Sequence, residues 1–88
     1  MAYYVYLLEC ADKTFYIGST NDLEKRVYAH NNLKIGARYT RARRPVVLRY
    51  SERVLDVSTA RKREAALKRL SRSEKLALLA GATASRLH

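Results

Sequence analysis

The chain has 88 residues, enough for one domain with one core, and 18 Lys and Arg against 8 Asp and Glu leave it at +10. One cysteine, Cys10, excludes an intrachain disulfide and a cysteine-built metal cage. No apolar run approaches the ~18 residues that a membrane-spanning helix needs.

A charge excess of this size on a small domain is an electrostatic footprint for polyanions, nucleic acid above all. The lone cysteine and the absence of a signal-like opening suit a cytoplasmic protein, associated with the nucleoid when bound to DNA. Cys10 itself reads as a small hydrophobe at a strand end.

In chain order, residues 3 to 9 and 14 to 20 are two short β-branched and aromatic runs joined by Glu9-Cys10-Ala11-Asp12-Lys13-Thr14, the pattern of a β-hairpin. Asn21 then stands as a helix cap, with Glu24 three residues later able to reach back as in a capping box, and the helix extends to about Asn31. Leu23 and Val27 mark its apolar face; Arg26 and His30, four apart, project together from a neighbouring face. From Asn32 to Pro45 the spacing predicts a basic loop carrying Lys34, Arg38, Tyr39, Arg41, Arg43 and Arg44 with no acid among them. Five cations and an aromatic in one loop suit a phosphate backbone with stackable bases, and without an anion they repel one another.

Residues 46 to 53 read as a third strand, with Pro45 just at its start. Ser58 caps a helix to about Leu70, and Ser71-Arg72-Ser73-Glu74 is a capping box that opens a last helix ending near Gly81. The domain is thus residues 1–81, with 82–88 a frayed tail. The expected fold is α+β: a three-stranded antiparallel sheet flanked by about three helices.

Glu64 is unusual because it falls on the stripe of Ala60, Leu67 and Leu70, with cations crowding the rest of the helix. It suits either an ion pair with Lys68 or Arg61, or a hard oxygen ligand for a divalent cation beside a phosphate. Tyr4, Tyr6 and Tyr16 are candidates for chemistry or for half-buried strand packing. A free phenol has a pKa near 10, so Tyr6 or Tyr16 takes a proton from water only where nearby cations favour the phenolate. Gly18 permits close backbone approach or an unusual dihedral. Asp12, Asp22 and Asp56 sit in expected turns and caps, so one carboxylate points to one metal at most.

The pair Tyr4-Val5-Tyr6 and Tyr16-Ile17-Gly18 at hairpin spacing, followed by Arg26, His30 and the helical Glu64, resembles the GIY-YIG nuclease domain, most closely its small single-domain bacterial (UPF0213-like) members. The likeness extends from Tyr3 to about Leu79. It implies that Tyr6 is the general base or water-positioner, that Tyr16 supports it and the phosphate, and that Glu64 is the protein ligand of one Mg²⁺ or Mn²⁺. Arg26 then stabilises phosphoryl charge, and His30 orients the nucleophile or assists proton transfer. Tyr4 fills the family's glycine position and is expected to pack or to serve an edge. Ser19 departs from the repair-enzyme branch, where lysine often follows the second tripeptide.

The function expected is metal-dependent endonucleolytic hydrolysis of DNA, structure-directed or of low sequence specificity, in repair or processing, with a partner protein able to supply targeting. Two alternatives stand beside it. One is a non-catalytic nucleic-acid-binding module, for DNA or RNA, that retains the fold. The other is a protein-binding domain that uses Leu76, Leu78 and Leu79 of the last helix.

Overall fold

The hydrophobic run near the N-terminus does not alternate cleanly, and the computed structural model shows why. It describes residues 2–32 and 38–86, with Arg38, Tyr39 and residues 81–86 described by their backbone alone. Strand β1 (Tyr3–Glu9) lies between β2 (Phe15–Thr20) and β3 (Val47–Val54) in an antiparallel sheet of order β2-β1-β3. Both of its faces are covered, so Val5, Tyr6, Leu7 and Leu8 are all buried and the period-two signal disappears. Tyr4 therefore sits in the central strand, opposite Thr20 and Arg53, and not at an edge.

Helices cover the two faces. Helix α1 (Leu23–Asn32) sends Leu23 and Val27 against Tyr6, Leu8, Cys10 and Val46. On the other face, α3 (Val57–Lys68) and α4 (Arg72–Arg86) close over Val5, Leu7 and Ile17 with Ala60, Leu67, Leu78 and Leu79. The expected α+β architecture is the one observed. Of Leu76, Leu78 and Leu79, set apart above as a docking face, Leu78 and Leu79 pack on this core and Leu76 is exposed.

Local chemistry sets the boundaries, and in places it differs from expectation. The first helix is capped by Asp22 rather than Asn21: Lys25 N–H donates to Asp22 Oδ1 at 3.1 Å, which puts Glu24 one position too early for a capping box. Asp56, two residues before Ser58, caps α3 by accepting from Thr59 N–H at 2.7 Å. The box at the start of α4 forms as expected, with Ser71 N–H donating to Glu74 Oε1 (2.8 Å) and Glu74 N–H to Ser71 Oγ (3.2 Å). Gly81 does not end α4, which continues to Arg86. The predicted basic loop contains a short helix, α2 (Arg38–Arg41).

Two local features shape the sheet at its turn and at its β3 side. The β1–β2 connection turns through Lys13, held at φ 69°, with Asp12 Oδ1 accepting from the backbone and hydroxyl of Thr14. Opposite Leu7 and Leu8 the pairing skips from Tyr50 to Leu48, so Arg49 is extra in β3 and reaches Glu9 at 3.3 Å.

Candidate active site

Tyr6 lies opposite Gly18 in the β1–β2 ladder. A Cβ on Gly18 would stand 2.5 Å from the Tyr6 hydroxyl oxygen and 2.7 Å from its Cζ. Of the two reasons for glycine considered above, close approach is the one that applies, because no glycine has positive φ among the described residues. The Tyr6 side chain thus lies down over β2 and its hydroxyl reaches helix α1.

There it meets His30, in the last turn of α1, at 3.0 Å from Nε2. The other ring nitrogen, Nδ1, is 2.8 Å from Thr40 Oγ1 on α2. All three residues are buried, His30 at 1% exposure and Thr40 at 0%. His30 therefore does not share an exposed face with Arg26. Leu23, Val27 and the last turn of α1 turn toward the sheet, and Arg26 alone of the pair faces solvent. The Tyr16 ring packs edge-on against His30 (centroids 5.0 Å apart) and tilted against Tyr6 (6.4 Å). Thr40 was not singled out in the sequence, since a threonine among arginines carries no local signal.

Burial governs the electrostatics. It pushes the Tyr6 phenol well above the usual phenol range, with Tyr16 and Glu64 adding to the effect and Arg26 opposing it. Among the protein's own groups, desolvation at Tyr6 outweighs the Arg26 charge, which disfavours a standing phenolate there. Burial also lowers the His30 pKa below 6.5, helped by the charges of Arg26 and Arg44, so its imidazole is neutral at pH 7. In the tautomer that donates from Nδ1 to Thr40, Nε2 is left to accept the phenolic proton.

Glu64 arrives from α3, half-buried and bonded to Lys68 Nζ at 2.8 Å, with its charge felt at Tyr6. The ion-pair reading of the sequence is therefore realised. A partly exposed carboxylate of this kind also fits one Mg²⁺ or Mn²⁺ completed by water and phosphate oxygens. Among the described residues no group of three or more His, Cys, Asp or Glu gathers.

The expected nucleic-acid loop is divided in its roles. Arg44 donates from Nε to the His30 carbonyl at 2.6 Å and pins the end of α1. Arg43 pairs with Asp12 (3.0 Å) and its carbonyl accepts from Ala11 N–H, which ties the loop to the hairpin. Arg41 faces solvent. Lys34, and the side chains of Arg38 and Tyr39, lie outside the described residues.

Comparison with known proteins bears on what this arrangement is. Residues 2–77 match the model of the GIY-YIG catalytic domain. A UPF0213 protein of Syntrophus aciditrophicus is 54% identical over 86% of this chain and 87% of its own length. A second from Halobacterium salinarum is 47% identical over 86% and 97%. Among solved structures, the protein EF2693 of E. faecalis superposes with a TM-score of 0.62 at 38% identity, covering 100% of this chain and 90% of that one. The UPF0213 protein BH0048 of Bacillus halodurans gives 0.58 at 38% identity, over 91% and 84%. With tripeptides, hairpin, helices and family model in agreement over nearly its whole length, the chain belongs to the GIY-YIG catalytic-domain family.

Proposed function

We propose that this protein is a divalent-metal-dependent endonuclease that hydrolyses phosphodiester bonds in DNA, in repair or processing within the cytoplasm. The observation that carries the reading is the buried chain Tyr6–His30–Thr40, set beside Arg26 in a domain of net charge +10. A water held by the Tyr6 oxygen attacks phosphorus in line with the leaving 3′ oxygen. Its proton passes to Tyr6 as the phenolic proton passes to neutral His30 Nε2, so no phenolate need exist beforehand. Thr40 keeps the imidazole in the accepting tautomer, and Tyr16 keeps its plane. The Arg26 fork offsets charge on the non-bridging oxygens. Glu64 would hold the Mg²⁺ or Mn²⁺, which when bound supplies positive charge at the leaving oxygen.

A second reading, a nucleic-acid-binding module without catalysis, is favoured by one observation: Glu64 already has a cationic partner in Lys68. The two are separated by incubating labelled single-stranded, duplex, flap and branched DNA with Mg²⁺, Mn²⁺ or EDTA, for wild type and Glu64→Ala. The nuclease reading expects cleavage that needs metal and disappears in Glu64→Ala, while binding persists. Salt-sensitive binding with no cleavage above the Glu64→Ala background would establish the binding module instead.

A further inference from the structure

Beyond the reacting groups, β2 has a second side. Phe15 and Ile17 alternate with Tyr16 and turn toward α3 and α4. There they floor a pocket of about 230 Å³ whose walls are Tyr16, Lys68 and Lys75. The charges around it are uneven. Lys68 is neutralised by Glu64, at the boundary with the candidate active site. Glu74, the acid adjacent to Lys75, is committed to the Ser71 backbone at the start of α4. Lys75 has no ion pair among the described residues. Arg72 lies over the Phe15 ring at 5.1 Å and donates to the Lys13 carbonyl at 2.7 Å, and it has no carboxylate partner among the described residues.

From this we infer that the pocket between β2, α3 and α4 is a phosphate subsite. It takes a backbone phosphate of the same nucleic-acid strand, next to the one that reacts, with Lys75 as its principal cation; Arg72, outside the lining but held over Phe15, adds to the local positive field. Phe15 and Ile17 offer the adjoining sugar an apolar floor. The inference rests on the nuclease reading, because Tyr16 and the Glu64–Lys68 pair connect the two places. It gives the strand a path along the exposed edge of β2. Recognition of this kind sets position and carries no sequence information.

The test measures binding of fluorescein-labelled single-stranded and duplex DNA in EDTA across a range of salt concentrations. It compares wild type, Lys75→Gln, Lys75→Arg and Lys62→Gln. The last removes the same charge from an exposed position on α3 outside the pocket. Loss of one phosphate contact lowers the slope of log K against log salt by about 0.9 on duplex and about 0.7 on single strands. For a contact worth nothing at 1 M salt, that is about an 8-fold weaker duplex complex at 0.1 M. Lys75→Gln is expected to show this change on every DNA sequence, Lys75→Arg to restore the slope, and Lys62→Gln to retain it. Equal losses in Lys75→Gln and Lys62→Gln would reduce the effect to the field of the whole molecule and overturn the subsite. So would an unchanged slope in Lys75→Gln. In both cases metal-dependent cleavage by wild type would leave the nuclease reading standing. A wild type that neither binds nor cuts DNA would overturn both.

Discussion

Substituting Gly18 by alanine tests the central geometry directly. The new Cβ would stand 2.5 Å from the Tyr6 oxygen, and to reach ordinary contact the phenol must retreat by about 0.9 Å in a closely packed interior. Tyr6 is 2% exposed and flanked by His30 and Tyr16, so its retreat strains those neighbours and stretches the 3.0 Å bond to His30. Overpacking of this kind costs about 1–3 kcal/mol and the lost hydrogen bond about 1, so Gly18→Ala should destabilise by about 2–4 kcal/mol. A displacement near 1 Å at a reacting group lowers turnover by about 100-fold. Urea unfolding and single-turnover cleavage measure the two effects, with DNA binding in EDTA expected to be unchanged. Tyr6→Phe removes the atom of closest approach, so alanine at position 18 should cost about 1 kcal/mol less in that background. Strict additivity of the two substitutions, or a loss below about 0.5 kcal/mol in Gly18→Ala alone, would refute the reasoning.

Three further outcomes are expected. The His30 pKa is lowered in the folded state, so activity should persist as pH falls to 6.5 and fail below it as the imidazole charges; the contribution of neutral His30 to stability is likewise present above pH 6.5 and lost below. A pH profile of kcat/KM whose acid limb stays in place in His30→Gln would contradict this. Glu52 accepts two bonds from Arg63 (2.6 and 2.8 Å) and one from Tyr50 (2.5 Å), which lower its pKa and fasten β3 to α3. With Arg63 partly solvated, Glu52→Gln should cost about 1–2 kcal/mol, a stabilisation present above pH 4.5 and lost below it, as acid titration of unfolding would show. Lys13 occupies the left-handed region at φ 69°, so Lys13→Gly should raise stability by about 0.5–1 kcal/mol in thermal unfolding, after the greater unfolded-state freedom of glycine is counted.

How legible the molecule is in its sequence depends on the range of the interactions involved. Strand-forming residues on either side of Asp12 and Lys13 announce the hairpin, and the Ser71–Glu74 box announces α4, because the groups concerned are neighbours along the chain. Caps were legible as a class but not by residue. Near α1, Asn21 and Asp22 are both able to cap, and near α3 so are Asp56 and Ser58; the docking of each helix on the sheet selects one. The charge of +10, the tripeptides and the carboxylate on an inward stripe likewise mark the family and the candidate site residues without any structure.

The state of those groups is a different matter. His30 carries no sign of its burial until α1 packs on the sheet. Its partners Tyr6 and Thr40 are 24 and 10 positions away, and the arginine that secures the end of its helix is 14 away. Sequence by itself determined which side chains are present, their charge and the strands and helices that carry them, since those depend on local preference and composition. Tertiary structure alone decided that burial favours the uncharged forms of His30 and Tyr6, and that a pocket lined by Lys68 and Lys75 opens along β2. Desolvation and hydrogen bonding at these positions come from atoms brought together only by packing, and no pattern along the chain encodes their distance.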